Sequence, residues 1–185
     1  MSNRSQRYTW TYADYARFPD DGNRYEVIEG EVLVTPAPSP HHQHVLKLLL
    51  RRLDEYVERH HLGVVLPDVD VLFVTGQFLR PDVVFVPESA REGITNRGVE
   101  LPPGLIVEVL SPTSARIDRV KKPRRYGDFG VPEYWVADPK ARVVWVWRFA
   151  QGAREPERVA GTLAWRPSPD VPPLELEVSE IFRPM

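Results

Sequence analysis

The sequence predicts one mixed α/β or α+β domain spanning residues 1–185, and three observations support this. Short apolar segments with strand character alternate with two amphipathic stretches of helical period. No segment repeats along the chain, and no stretch has the composition of a linker. The length is ordinary for one domain that buries its own core.

The N-terminal part is predicted to combine a short helix, a hairpin and a long helix. Residues 9–19 indicate the short helix, and residues 25–35 read as a hairpin with a Glu-Gly turn. Ser39 followed by Pro40 is typical of an N-cap and the first helical position. Apolar residues at helical spacing then predict a helix over 41–61, which ends before a glycine.

The remaining chain alternates strands with one more helix. Pro123 is expected to interrupt or kink this helix, which runs from the Ser-Pro-Thr-Ser segment to about residue 129. The tail suggests a small hairpin and a final edge strand. Further strands are predicted in 64–86, 105–112, 132–138 and 143–149, with a loop over 87–104.

Composition excludes several classes of protein. The chain has no Cys, which rules out disulfides, thiolate metal sites and cysteine nucleophiles. Its 24 basic and 26 acidic residues give a net charge of -2, so no overall basic footprint points to nucleic acid. We find no signal-peptide pattern and no apolar run of about 18 residues, so we expect a cytoplasmic protein without a membrane partner.

Two acids interrupt apolar strand patterns, and they are the first candidates for a site. Asp82 lies in "RPDVVFV" and Glu108 in "LIVEVLSP". Adjacent strands lie about 4.8 Å apart, so both carboxylates could converge on one point. A hard divalent cation such as Mg²⁺ (or Mn²⁺) would remove their repulsion. The alternative for each acid is a solvated strand end, or pairing with an arginine such as Arg80.

The following helix supplies a candidate lysine. Asp118, Lys122 and Tyr126 are spaced i, i+4, i+8 and share one face. In the functional interpretation, Lys122 returns toward the strand acids to orient or deprotonate a metal-bound water and to offset developing phosphate charge. In the alternative, Asp118 and Lys122 form a surface pair. Pro123 disturbs the regular spacing of helical side chains, so Lys121 is a second candidate for this lysine.

Pro81-Asp82, then Glu108, then a lysine resembles the core of PD-(D/E)XK nucleases. More specifically, the chain resembles the Uma2 family of restriction-endonuclease-like proteins over nearly its whole length. The stretches that carry this resemblance are "TWTYADYARFPDDGNRYEVIEGEVLVTPAPSPHHQHV", "RPDVVFV", "IVEVLSPTSARIDRVKKPRRYGDFGVPEYWVADP" and "VSEIF".

The resemblance implies a restriction-endonuclease-like core, a mixed β-sheet flanked by helices, with an N-terminal hairpin and a C-terminal β extension. It also implies that Asp82 and Glu108 bind the metal, with the main-chain carbonyl of Val109 as a further ligand. Leu110 stands where an E-x-K motif has its lysine. In Uma2-like sequences the lysine lies instead on the next helix, which matches Lys122.

Three upstream residues match recurring positions of the family and are additional candidates. Glu26 would join the metal cluster, although an exposed hairpin acid or a partner for Arg24 is an equal alternative. His42 and Gln43 begin the long helix, where a histidine could contact phosphate. A capping or surface role for His42 is the alternative.

Five aromatic residues allow a base-stacking interpretation, but the pattern favours core or interface packing. Trp145 and Trp147 share one strand face; the others are Tyr134, Trp135 and Trp165.

The leading hypothesis is therefore a Mg²⁺-dependent DNA endonuclease, expected to act as a homodimer. The first alternative is a catalytically inactive nucleic-acid-binding or assembly module of the same fold. The second is a hydrolase of another phosphate ester, because a fold does not fix the substrate.

Overall fold

The computed structural model describes residues 10–15, 17–19, 21–73, 76–112 and 114–185. The α-helices of this part of the chain are α1 Tyr12–Tyr15, α2 Pro40–Arg59, α3 Lys122–Phe129 and α4 Val178–Ile181. The first nine strands are β1 Arg24–Ile28, β2 Glu31–Thr35, β3 Gly63–Pro67, β4 Val71–Leu72, β5 Phe78–Leu79, β6 Val83–Pro87, β7 Ile94–Thr95, β8 Gly98–Val99 and β9 Leu105–Val109. The last five are β10 Glu133–Asp138, β11 Val143–Arg148, β12 Glu157–Val159, β13 Thr162–Trp165 and β14 Leu174–Glu177.

The central element is a mixed six-stranded sheet in the order β12-β11-β10-β9-β6-β3. The pair β9 and β10 is parallel, and the other neighbours are antiparallel. A second sheet has the order β2-β1-β5-β4-β8-β7 and begins with the predicted N-terminal hairpin, while β13 and β14 form a C-terminal hairpin. The predicted mixed sheet with an N-terminal hairpin and a C-terminal β extension is confirmed.

Alternation along β9 separates two layers. Leu105, Val107 and Val109 pack toward α2 and the C-terminal hairpin, in one apolar cluster with Leu49. Ile106 points the other way, into a cluster that includes Tyr126 of α3. Because all of β9 is buried, each face of the central sheet is covered. A polar side chain on this strand must therefore find its partners inside the protein.

The long helix begins and ends close to its predicted bounds. The Ser39 hydroxyl accepts a hydrogen bond from the main-chain N–H of His42 at 3.2 Å, which is the expected N-cap. Pro40 occupies the first helical turn, where its missing N–H costs nothing. The cap fixes the first turn of α2, and so the position of the buried His42 side chain.

Three stretches differ from the predicted pattern. The strand segment 64–72 divides into β3 and β4, which join different sheets across a turn where Asp68 has φ +52°. The loop 87–104 contains a 3₁₀ helix, Glu88–Gly93, and the short strands β7 and β8. The predicted tail hairpin is wrong in its pairing, because β12 joins the central sheet whereas β13 pairs with β14. At the end of the tail, Val178–Ile181 forms α4 rather than part of an edge strand.

Two further expectations concern helices. The short helix predicted for 9–19 is α1, and residues 9 and 16 of that range lie outside the described residues. Among the helices that the structure describes, none is long and apolar enough to cross a membrane.

Candidate active site

Asp82 and Glu108 lie opposite each other on neighbouring strands. The strands β6 and β9 are antiparallel, with Val83 facing Val107 and Val84 facing Ile106. One further step of this register brings Asp82 opposite Glu108. Residues directly opposite each other point to the same face of a sheet, so the two acids project together.

Both carboxylates are withdrawn from water. Asp82 is 1% exposed and Glu108 is 3% exposed. The Glu108 Oε1 atom accepts hydrogen bonds from Lys122 Nζ at 2.8 Å and from the Tyr126 hydroxyl at 3.4 Å. The hydrogen bonds formed by described residues leave its second oxygen available. Glu108 therefore has one committed oxygen and one that a ligand can use.

Asp82 is held by three separate parts of the chain. Its Oδ2 atom accepts a hydrogen bond from the Val109 N–H at 2.7 Å and lies 3.1 Å from His42 Nε2. Its Oδ1 atom accepts from Arg24 Nη1 at 3.0 Å. Burial alone would raise the pKa of Asp82, but His42, Arg24 and the Val109 N–H hold this pKa below its usual range. The side chain is a fixed carboxylate.

Lys122 is the centre of a buried ion cluster. Its Nζ atom lies 2.8 Å from Glu108 Oε1, 2.9 Å from Glu26 Oε1 and 3.1 Å from Asp118 Oδ1. Burial opposes the charge on Lys122, but the carboxylates of Glu108, Glu26 and Asp118 outweigh it and raise the lysine pKa well above its ordinary value. The cluster therefore holds the Lys122 amine in its charged form.

A π-helical turn directly before Lys122 positions its side chain. Residues Ile117–Lys121 form a π-helical turn, in which the Lys122 N–H bonds to the Ile117 carbonyl. The turn runs directly into α3, where Pro123 occupies the first turn and has no N–H to donate. The predicted interruption at Pro123 thus takes the form of a π turn, a feature often found at functional sites. Asp118 and Lys122 are both buried by it.

Glu26 reaches the cluster from the second sheet. It lies in β1, is 3% exposed, and its Oε1 atom also accepts a hydrogen bond from the Arg80 N–H at 2.9 Å. The Arg80 side chain turns away and pairs with Asp70 at 2.8 Å. Glu26 is therefore neither an exposed hairpin acid nor a partner of Arg24.

Negative charge exceeds positive charge in this site. Four carboxylates, those of Glu26, Asp82, Glu108 and Asp118, face the two permanent cations Arg24 and Lys122. Burial raises the pKa of Glu108 well above its ordinary value; Lys122 opposes this shift, whereas the other three carboxylates add to it. The crowding of carboxylates therefore favours the protonated form of Glu108.

The cluster opens into a cleft of about 610 Å³. One wall is the first half of α2, including His42, Gln43 and Lys47, and another is the proline-rich connection 36–38. Its floor contains residues of the ion cluster, namely Glu26, Asp82, Glu108, Asp118 and Lys122. The acids are thus buried by neighbouring side chains but line a space that a substrate can enter.

Not all candidates reach the acids. Lys121 pairs with Glu31 at 3.2 Å and Glu29 at 3.7 Å at the protein surface, so it does not approach the cluster. Gln43 lines the cleft without a hydrogen bond to either acid among the bonds of described residues. Val109 contributes its N–H to Asp82 and also lines the cleft.

The aromatic residues pack inside the protein. Four of them, Tyr134, Trp135, Trp147 and Trp165, are at most 4% exposed. Trp145 is partly buried, and the Arg119 guanidinium stacks 4.3 Å from the centre of its ring. The predicted core packing is confirmed for the four, which leaves them unable to stack on bases.

Arg24 is a site residue that sequence reasoning missed. The alternative interpretation paired the acid with an arginine such as Arg80, but Arg24 takes that place beside Asp82 and also donates to the Arg80 carbonyl at 3.2 Å. The pairing of β1 with β5, with Val27 facing Phe78, brings Arg24 there. No local pattern signals a pairing between strands that lie about fifty residues apart.

The residues fit a divalent cation by their donor chemistry. Asp82, Glu108 and the Val109 carbonyl are oxygen donors, as Mg²⁺ prefers, and the cluster carries excess negative charge. In the described part of the chain, however, no three acidic or imidazole side chains are arranged as ligands of one ion. The carboxylates are instead engaged by Lys122, Arg24 and His42.

Comparison with known proteins agrees with this fold. A solved structure described as a putative nuclease belonging to DUF820, from Anabaena variabilis ATCC 29413, matches with a TM-score of 0.75 and 19% identity, over 94% of this chain and 97% of that chain. This likeness shows that the two chains share a fold. No curated protein matches the chain. The family model of Uma2, described as a putative restriction endonuclease, matches residues 12–179, and the chain belongs to this family.

Proposed function

We propose that the protein is a Mg²⁺-dependent endonuclease that hydrolyses phosphodiester bonds in DNA. The single observation that carries the proposal is the juxtaposition of Asp82 and Glu108 on neighbouring strands, with Lys122 at 2.8 Å from Glu108, on the floor of an open cleft. The family described as putative restriction endonucleases supports the same class of reaction.

Asp82 and Glu108 would hold the metal, with the Val109 carbonyl as a third oxygen donor. When bound, Mg²⁺ would polarise the scissile phosphate and make a water nucleophilic near neutral pH. The protein's own contribution is to keep Asp82 ionised. The Val109 N–H and Arg24 hold this carboxylate in one orientation, so its free lone pairs are directed before the substrate arrives.

Lys122 supplies a positive charge at the floor of the cleft. Its ammonium stays protonated because three carboxylates surround it, so it can stabilise charge that develops on the phosphate or orient a water. Glu26 and Asp118 position this amine from two other elements. His42 and Gln43 line the wall of the cleft, where they can contact the flanking phosphates of a DNA strand.

Nicking of supercoiled plasmid DNA tests the proposal. We expect the wild type to cut with Mg²⁺ or Mn²⁺ and to stop when the metal is chelated. Losing several kcal/mol of charge stabilisation corresponds to about 10³-fold in rate, so Asp82→Ala and Glu108→Ala should fall by at least that factor. Glu175→Ala, an exposed strand glutamate, is the matched control and should cut normally. A wild type that leaves DNA intact with every metal would remove the proposal.

A second candidate is a catalytically inactive module that keeps the fold to bind nucleic acid or to assemble. The observation that favours it is the internal pairing of the acids, since Lys122, Arg24 and His42 already engage them. Binding of DNA without cleavage, and without measurable affinity for Mn²⁺, would select this candidate. Cleavage of a small phosphodiester but not of DNA would instead indicate another phosphate ester as substrate.

A homodimer is part of the endonuclease proposal, because two copies would present one centre to each DNA strand. Four of the five aromatic residues considered do not provide its interface, since they lie in the core: Tyr134, Trp135, Trp147 and Trp165. Sedimentation analysis with and without a DNA duplex tests this expectation, and a monomer in both conditions would contradict it.

A further inference from the structure

We propose that the cleft takes an unpaired DNA strand rather than a closed duplex, with a base against its apolar wall and a backbone phosphate beside Lys47. This inference rests on the proposed function, because it names the form of DNA that reaches the acids. It adds binding roles for Lys47 and Leu50, which the proposed hydrolysis does not use.

The cleft has the size of a site for a small ligand. Its volume of about 610 Å³ falls in the range of about 300–1,000 Å³ that is usual for such sites. Asp82 and Glu108 on its floor are 1% and 3% exposed, so only a group that enters the cleft can reach them. A duplex is a stiff rod with its bases stacked inside, whereas an unpaired strand bends easily and can place one nucleotide in a pocket.

Two neighbouring rows of side chains on α2 form one wall of the cleft. The inner row is His42, Leu46 and Leu50, spaced i, i+4, i+8, and all three are buried or half-buried. The outer row is Gln43 and Lys47, spaced i, i+4, and both are exposed. Beyond His42, which contacts Asp82, the wall is therefore apolar in its depth and polar along its outer edge.

Apolar surface in the cleft suits a base that is not stacked in a duplex. The connection 36–38 and Pro67 line the same space as the inner row. In a duplex the faces of the bases cover one another, so this surface would meet only sugars. In an unpaired strand each base exposes its face, which is what single-strand binding proteins pack against their own side chains. Leucine and proline provide apolar surface for that contact.

Lys47 is the cation of the cleft that remains for a backbone phosphate. The other lysine and arginine side chains in its lining, those of Arg24, Arg80 and Lys122, each pair with carboxylates of the protein. Lys47 forms no ion pair with any residue that the structure describes. Proteins that hold a duplex by its backbone neutralise about six to ten phosphates. One unpaired cation beside an apolar row instead matches one phosphate and one base of a single strand.

DNA binding measured with a chelator present tests the inference without metal or cleavage. The probe is one short fluorescent DNA strand, used alone and annealed to its complement, and its anisotropy reports binding. We expect the wild type to bind the single strand more tightly than the duplex, by about tenfold or more. A duplex that binds as tightly as the single strand, or a wild type that binds neither form, would overturn the inference.

Variants of the wall test the residues that are assigned to the strand. Lys47→Gln should weaken single-strand binding and lower the slope of log affinity against log salt concentration by about 0.7, the loss of one phosphate contact. Arg59→Gln removes the same charge from the exposed far end of α2 and should keep the wild-type slope. Leu50→Ala, which shortens the inner row, should weaken single-strand binding without a change in slope. Wild-type binding by Lys47→Gln or by Leu50→Ala would contradict the inference.

Cleavage of two plasmid forms separates this inference from the proposed function. Negative supercoiling promotes local unpairing, which a relaxed closed plasmid lacks. If the wild type nicks the supercoiled form about tenfold faster or more, both the inference and the function hold. If it nicks both forms equally, the function stands and the inference fails. If it binds the single strand preferentially but cuts no DNA with any metal, the inference holds and the function fails.

Discussion

Replacing Glu108 with glutamine should stabilise the protein while it abolishes the proposed activity. Glu108 and its neighbours Glu26 and Asp118 all contact Lys122 Nζ at 2.8 to 3.1 Å, so any two of these oxygens lie within about 6 Å of each other. At an effective dielectric constant of about 20, two like charges at about 6 Å repel by about 3 kcal/mol.

The substitution removes two such repulsions, about 6 kcal/mol in all, and one attraction to Lys122 at 2.8 Å, also about 6 kcal/mol. These two contributions nearly cancel. What remains is the cost of burying the Glu108 charge, several kcal/mol, which the uncharged glutamine does not incur. The wild type already avoids part of this cost, because the raised pKa of Glu108 lets the buried carboxyl take up a proton. We therefore expect Glu108→Gln to raise the free energy of unfolding by about 1–3 kcal/mol above neutral pH.

The gain should depend on pH in a defined direction. The pKa of Glu108 is raised in the folded protein, so below the pKa of an unfolded glutamate, about 4.3, both states are protonated and the variant gains nothing. As pH rises above that value the unfolded wild type ionises first, and its stability falls relative to Glu108→Gln until the folded carboxyl ionises too.

Urea unfolding with a chelator present, at acidic and at alkaline pH, measures both effects. The exposed Glu175→Gln is the control, and its stability should stay within about 0.5 kcal/mol of the wild type. A Glu108→Gln variant that is less stable than the wild type at alkaline pH, or whose gain is independent of pH, would refute this account of the cluster.

Three further predictions concern the frame of the site; urea unfolding checks the first two, and acid unfolding checks the third. Gly63→Ala should cost about 3 kcal/mol or more, because its φ is +142° and an added Cβ would lie 2.1 Å from a main-chain oxygen, whereas Gly161→Ala, which meets open space, should change little. Ser39→Ala should cost about 1 kcal/mol by removing the N-cap of α2; an unchanged stability would argue against that cap. The lowered pKa of Asp82 stabilises the fold above the pKa of an unfolded aspartate, and this stability is lost as pH falls through the folded pKa. Arg24→Met should therefore make acid unfolding begin at higher pH, and an unshifted acid transition would contradict this.

The sequence could predict the acids of the site because the pattern of a strand is local. Asp82 and Glu108 stand out among apolar neighbours, and the antiparallel pairing of β6 with β9 sets them opposite each other. Lys122 could be predicted from its spacing to Asp118 and from the resemblance to the family. Spacing alone could not show that Asp118 and Lys122 are buried, because burial depends on which other elements pack over them.

The remaining features depend on pairings between distant segments. Arg24 reaches Asp82 because β1 pairs with β5, and two-residue strands such as β5 carry no readable periodicity. The tail was predicted as a local hairpin, but β12 completes the central sheet instead. The π turn before Pro123 was foreseen only as an interruption, since a missing N–H indicates where a helix is disturbed and not in what form.

A crystal structure with Mn²⁺ at saturating concentration tests the central claim most directly. Mn²⁺ scatters anomalously, so its position can be identified without assumptions about ligands. We predict one anomalous peak at bonding distance from an oxygen of Asp82 and an oxygen of Glu108, beside the Lys122 ammonium that contacts Glu108 at 2.8 Å. The absence of a peak there would contradict the account.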